Sequence, residues 1–273
     1  MVDGVTYSRR TAQGIVHSPQ IADVFDGWKG GQERWMFVSP HDDDVVIGAG
    51  LTTHIGILEG VEVHAVITTD GRMGYCRLAQ RRSIARIRAD EAVEGYRALG
   101  LVAERLHRLG FPDCNLNPYR GRHFATIGDP TELEGASGLQ NAFPYILRQV
   151  RPTRVFLPTP TDLHPDHKIV YEEMLISLFH AQGTIWPELG RPIEEVPKVY
   201  EYATYCDFSE PPQIRVTGTS DMLERKLEAI RAFASQEQIE ALVEVQRNVG
   251  PVEYIREVEF NFYSPEKYAS LFE

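Results

Sequence analysis

A chain of 273 residues with 42% hydrophobic side chains carries enough apolar material for one large domain or two small ones. Its formal net charge of -11 argues against a protein that tracks phosphate backbones, and the run Arg77, Arg81, Arg82, Arg86 and Arg88 reads better as one side of an amphipathic helix. Three scattered cysteines without a Cys-x-x-Cys, no leader-like N-terminus and no apolar run of about 18 residues exclude a disulfide framework, a thiolate zinc site and a membrane span, so a cytoplasmic protein with no nucleic-acid partner is expected.

Residues 1 to about 33 show no clear period and read as an arm or a short leading helix. Trp35–Ser39 then reads as a buried strand, and Val45–Glu59 as a helix with Val46, Gly50, Thr53 and Ile57 at helical spacing. Val61–Thr68 is a second strand rich in β-branched residues. Leu78–Leu99 is a long helix stopped by Gly100, and Leu106–Leu109 a weak third strand. Gly138–Val150 (helix), Arg154–Leu157 (strand, closed by Pro158), His167–Phe179 (helix) and Lys198–Tyr205 (strand) continue the alternation. The Gly/Pro-rich stretch 183–197 is a variable loop. Asp221 and Glu224 form a capping pair for a helix striped by Leu223, Leu227, Ile230 and Ala234, and Tyr254–Tyr263 alternates as a last strand. Strands alternating with helices predict an α/β fold, a mostly parallel sheet between two helical layers, with helix and strand additions at the C-terminus. Such sheets bind ligands beyond the carboxyl ends of their strands.

Two polar clusters follow predicted strands. Ser39-Pro40-His41-Asp42-Asp43-Asp44 packs an imidazole and three carboxylates behind the first, and His164-Pro165-Asp166-His167 follows the strand ending at Leu157. Two imidazoles and one carboxylate, His41, His167 and Asp44, suit a catalytic zinc that keeps a fourth position open. Asp43, next to Asp44 but pointing elsewhere, suits a general base, and His164, one turn before His167, can lean over a substrate carbonyl. Asp166 can hydrogen-bond an imidazole and raise its basicity. Asp42 is the least constrained of the group. The bland alternatives are a solvated Asp-rich turn and Asp44 as a mere helix cap.

Pro40-His41-Asp42-Asp43-Asp44 resembles the Ala-His-Pro-Asp-Asp-Glu motif of the PIG-L/LmbE-like N-deacetylases, and His164-Pro165-Asp166-His167 resembles their His-Pro-Asp-His. Thr69-Asp70-Gly71, Ile87-Arg88 with Glu91, Leu109-Gly110-Phe111-Pro112-Asp113, and Lys226 with Ser235-Gln236 are similar to further family elements, so the resemblance spans about residues 33 to 240. It implies a Rossmann-like zinc-dependent enzyme (Fe2+ being another option) that hydrolyses the N-acetyl or N-acyl amide of an amino sugar in a small-molecule glycoside or conjugate. Carried over, His41, Asp44 and His167 hold the metal, Asp43 is the base, His164 stabilises the oxyanion, and Arg88 and Asp113 contact sugar hydroxyls. Family members often form trimers or hexamers, which implies a homo-oligomer here. Asp42 and Val45 depart from the motif, standing for a proline and an acid. The whole chain, 1–273, is expected to be one deacetylase domain with a core of about 33–240 and an extension at 241–273.

Other readings compete. Gly48-Ala49-Gly50 suggests a nucleotide-binding protein, but it falls inside a predicted helix and leaves His164 and His167 without a role. A two-metal phosphoesterase would use Asp42 as an extra ligand, and a non-catalytic metal-stabilised sugar-binding protein would need no base. The long segments 115–139 and 183–197 offer Tyr119, Arg120, Arg122, His123 and Trp186 as pocket residues.

Overall fold

Alternation along the strands sorts the core into two layers. Trp35 and Phe37 join one buried cluster, Met36 and Val38 the other; Val63, Ala65 and Ile67 oppose Val66, and Phe156 opposes Val155 and Leu157. The sheet is therefore buried on both faces, as parallel strands require. A computed structural model describes residues 1–272. In chain order the elements are β1 (Thr6–Thr11), β2 (Gly14–Ser18), β3 (Arg34–Ser39), α1 (Asp44–Leu58), β4 (Glu62–Thr69), α2 (Ile84–Ala98), β5 (Leu106–Phe111), the short pair β6 (His123–Phe124) and β7 (Ala136–Ser137), α3 (Leu139–Val150), β8 (Arg154–Pro158), α4 (Pro165–Gln182), β9 (Lys198–Tyr202), β10 (Ile214–Thr217), α5 (Ser220–Arg231), α6 (Ile239–Val249) and β11 (Val252–Val258).

The main sheet runs β2-β1-β10-β11-β9-β8-β3-β4-β5. The five strands from β9 to β5 are parallel, and the other four extend the sheet antiparallel. Helices α1, α2, α5 and α6 cover one face, while α3 and α4 cover the other. The result is the expected three-layer α/β fold.

Several elements differ from expectation. The N-terminal segment is neither an arm nor a helix: β1 and β2 form a hairpin, and β1 pairs with β10. Neither the hairpin nor β10 is anticipated by hydrophobic pattern, because Ser8, Arg9, Arg10 and Arg215 interrupt β1 and β10 with polar side chains. The helix expected from Leu78 begins at Ile84, preceded by a single 3-10 turn at Leu78–Gln80. Helix α4 begins at Pro165, so His167 lies in its first turn.

Helix α1 breaks at Ala49, whose φ of -141° and ψ of 18° are not helical. The break frees the amides of Leu51 and Thr52, and both donate to the Glu253 carboxylate on β11, at 2.9 and 2.7 Å. Lys226 closes the arrangement with an ion pair to Glu253 at 2.7 Å. A buried carboxylate thus caps the restarted helix, where the dipole favours negative charge. A Cβ on Gly48 would lie 2.7 Å from the Ala203 carbonyl oxygen. Gly48 therefore serves close approach of α1 to the chain after β9.

At the amino ends of the parallel strands lies a second buried pair. Arg154 Nε meets Glu33 Oε2 at 3.1 Å, and Glu33 also accepts from the Trp35 indole at 3.0 Å and the Thr153 hydroxyl at 2.6 Å. Phe25, Trp28 and Tyr200 surround the guanidinium.

On the β4–β5 edge, His64 Nδ1 and His107 Nε2 are 3.0 Å apart, and burial with the neighbouring His64 pushes His107 down to about 4. An unfolded histidine titrates near 6.5, so between about pH 6.5 and 4 the unfolded chain takes a proton that the folded one refuses. Stability should therefore fall as pH drops through that window, by on the order of 1 kcal/mol for this partly exposed ring. A His107→Asn variant, compared by urea unfolding at pH 7 and pH 5, should lose less on acidification than the parent; equal losses would refute the assignment.

Candidate metal-dependent active site

The carboxyl ends of all five parallel strands feed one site. β3 leads to His41–Asp44, β4 to Asp70 and Gly71, β5 to Asp113 and Cys114, β8 to Asp162–His167, and β9 to Tyr205. The two histidine-bearing loops leave adjacent strands, β3 and β8, where the order of the parallel strands reverses and a crevice opens. Thr69 anchors the first loop by donating from both its amide and its hydroxyl to the Pro40 carbonyl, at 3.0 and 2.9 Å.

Asp44 is fully buried at the first residue of α1, and it does not cap the helix. Its Oδ2 turns back to accept the His41 amide at 2.8 Å. The same oxygen lies 3.1 Å from His41 Nδ1 and 3.2 Å from His167 Nε2. Donors bound tetrahedrally at about 2.0–2.2 Å stand about 3.3 Å apart, so these spacings match ligands around one ion. The donor atoms of His41, His164 and His167 also lie within 4.8 Å of one another.

Buried atoms without a hydrogen-bond partner make the same point. They include Asp44 Oδ1 and His167 Nε2. Such atoms are costly to bury unless something pairs with them. Burial opposes charge on His41, yet Asp44 holds its pKa well above the ordinary histidine value; His167 is likewise raised, to about 9. Burial pushes the Asp44 carboxyl upward, but the two imidazoles hold it well below the usual carboxylate range. The cluster calls for positive charge where these three side chains meet. A divalent cation supplies it, so the residues fit a metal centre.

Carboxylates stand behind both imidazoles. His41 Nε2 is 3.2 Å from Asp113 Oδ1 and 3.4 Å from Asp166 Oδ2, and His167 Nδ1 is 3.3 Å from Asp162 Oδ2. Asp162 was not singled out from sequence. The signal for it was a carboxylate two residues before His164, in the turn between strand and helix. Asp166 also accepts the Cys114 amide at 2.8 Å, which ties the β5 loop to α4. Asp113 accepts the Met73 amide at 3.0 Å, and burial of its carboxyl is outweighed by His41, which holds it at about 2.

His164 caps α4, its Nδ1 accepting from the Asp166 amide at 3.3 Å. That bond leaves the proton of the neutral ring on Nε2, the nitrogen beside Cys114 Sγ at 3.6 Å. Burial and the neighbouring His41 lower the His164 pKa, favouring the neutral ring.

Asp42 is the main departure from the sequence reading. Far from being loosely held, it is fully buried and ion-paired twice: Arg88 Nε at 3.1 Å and Arg108 at 2.8 Å. A carboxylate so engaged is not a free ligand for a second cation, which disfavours the two-metal phosphoesterase. Arg88 reaches on to Asp43 Oδ1 at 2.9 Å. Burial raises the Asp43 carboxyl and Arg88 opposes that shift. Tyr205, half-exposed beside the His167 ring, has its phenol pushed up chiefly by Asp43.

Of the loop residues, Arg120 pairs with Glu172 and Glu173 of α4. Arg122 lies 4.7 Å over the Trp186 ring, and Tyr119 packs on Phe111. His123 faces Asp129 at 3.3 Å. Arg120 thus ties segment 115–139 to α4, and Arg122 joins it to segment 183–197. Lys226, Ser235 and Gln236 work through contacts elsewhere: Lys226 with Glu253, Ser235 donating to Glu91 at 2.7 Å, and Gln236 to the Gly74 carbonyl at 2.8 Å.

Comparison with known proteins gives the same picture. The sequence model of one family, described as PIG-L: GlcNAc-PI de-N-acetylase, matches residues 36–176. The probable N-acetyl-alpha-D-glucosaminyl L-malate deacetylase 2 of Bacillus cereus is 27% identical over 218 residues, 77% of this chain and 85% of its own. Among solved structures, the N,N'-diacetylchitobiose deacetylase from Pyrococcus horikoshii superposes with a TM-score of 0.69 at 25% identity, covering 91% of this chain and 92% of its own. The 4-carboxy-2-hydroxymuconate hydratase GalB of Pseudomonas putida, at 19% identity and a TM-score of 0.59 over 85% of this chain and 99% of its own, shares the fold alone.

Proposed function

The chain belongs to the PIG-L family of de-N-acetylases, and on that premise we propose that it hydrolyses the N-acetyl amide of an amino sugar, releasing acetate and the free amine. The observation that carries this reading is the meeting of His41 Nδ1, His167 Nε2 and Asp44 Oδ2 beside an uncoordinated carboxylate, Asp43. His41, Asp44 and His167 would hold the metal, for which zinc is our choice because two imidazoles and a carboxylate suit it. When bound, the cation supplies a Lewis acid for the amide carbonyl and acidifies water.

The chain's own groups do the rest. Asp43 accepts the proton of the attacking water and passes it to the departing amine. Arg88 holds one oxygen of Asp43, leaving the other for that proton. The Nε2–H of His164 donates to the oxygen that gains charge as the carbonyl becomes tetrahedral. Asp166 and Asp113 orient His41, and Asp162 orients His167, as carboxylates behind metal-bound imidazoles do. Both Asp113 oxygens are engaged, Oδ1 facing the His41 ring and Oδ2 accepting the Met73 amide, so its part in this reading is to orient His41. Residues 1–273 work as one catalytic unit in this reading, because β11 from the C-terminal segment lies inside the sheet. Among the described residues no helix is long and apolar enough to cross a membrane.

The direct test is acetate release from N-acetylglucosaminides such as diacetylchitobiose or an inositol or malate conjugate. Turnover should require about one divalent ion per chain, vanish with a chelator and return with zinc. Metal-free protein that retains turnover would end this reading.

A further inference from the structure

We infer that Asp42 is a positioning residue for the base, acting through Arg88, with Arg108 as the counter-charge that makes it tolerable. The geometry forms a continuous chain. Arg108 binds Asp42 Oδ1 at 2.8 Å, Asp42 Oδ2 binds Arg88 Nε at 3.1 Å, and Arg88 binds Asp43 Oδ1 at 2.9 Å.

Asp42 is fully buried and Arg88 is 4% exposed, so neither charge is screened by water. Burying Asp42 is costly, and one guanidinium would have to serve two carboxylates without Arg108. The second arginine brings the group to two cations against two anions. Arg88 is held at two of its three guanidinium nitrogens: Nε is spent on Asp42 and one terminal nitrogen on Asp43. The Phe233 ring lies 5.9 Å from its guanidinium carbon.

The turn after β4 is shaped for this network. Gly71 has a φ of +66°, and a Cβ there would stand 2.4 Å from Asp42 Oδ2 and 2.9 Å from Arg88 Nε. Only glycine lets the turn close over the pair. Two of the three guanidinium nitrogens of Arg88 are thus committed to carboxylates. Its task is to hold Asp43 in one rotamer, with a single oxygen presented to the water. A misplacement of about 1 Å at such a group costs on the order of 100-fold in rate.

The test is the kinetics of Asp42→Asn, which keeps the shape and removes the charge. kcat should fall about 10- to 100-fold, with KM within about twofold and metal content unchanged. Arg108→Gln, at a partly exposed position whose loss the fold can bear, should lower kcat several-fold in the same pattern. In an Arg88→Met background, Asp42→Asn should add no further loss, because both act through one group. Asp42→Asn with parental kcat, a loss confined to KM or metal content, or full independent losses in the double variant would each overturn the inference. It rests on Asp43 being the base: a parent protein with no turnover fails that reading, whereas an active parent with an equally active Asp42→Asn fails this one.

Discussion

Asp43→Asn should reduce kcat by about 100- to 10,000-fold, the range that a positioned proton-transfer group contributes. Asparagine keeps the size of the side chain and can still accept from Arg88, but it cannot take a proton from water. The loss should appear equally in kcat and kcat/KM, since the proton is transferred only at the transition state. Metal content, measured on the purified variant, should stay at the parental value because Asp43 is not among the groups converging on His41 Nδ1 and His167 Nε2. A variant that loses its metal would move Asp43 into the ligand set. One that keeps full turnover would leave the site without a base.

Arg154→Met should cost about 3–5 kcal/mol of folding stability, the penalty for stranding one member of a buried ion pair. The carboxylate left behind, Glu33, is 1% exposed and would keep only the Trp35, Thr153 and Lys29 amide donors. Replacing both partners by apolar side chains of similar volume should recover much of that loss. Urea unfolding of the single and double variants decides the matter. A single variant within about 1 kcal/mol of the parent would mean that the neighbouring donors already satisfy Glu33. The pair lies at the amino ends of the strands, away from the active site at their carboxyl ends, so turnover at low temperature should be little changed.

What could be read from sequence divides along a physical line. His41, Asp43, Asp44, His164 and His167 stood out because residues able to bind metal were concentrated directly after apolar runs, where an α/β sheet places its ligands. The strands β3, β4 and β8 were legible for the same reason: they are buried on both faces and read as continuous apolar stretches. The antiparallel additions had no such signal. β10 offers four residues, of which only Ile214 and Val216 are buried. Pairings distant in sequence were invisible as well. Nothing near Asp42 indicates Arg108, and nothing near Leu51 or Thr52 indicates Glu253, because such partners are chosen by the folded surface and not by spacing along the chain. Asp162 falls between these cases, close to the motif yet assigned only by its distance to a ring.

The position of β11 carries a consequence for how this protein is made. It follows β1 to β10 in sequence, yet it lies between β9 and β10, and β10 in turn holds the β1–β2 hairpin. β1 therefore joins the sheet only through strands that come much later in the sequence, and long-range pairing of this kind is slow and leaves edges exposed meanwhile. A stop codon near Gly250 would delete a central plank together with Glu253, leaving the amides at the Ala49 break uncapped and Lys226 without its buried counter-ion.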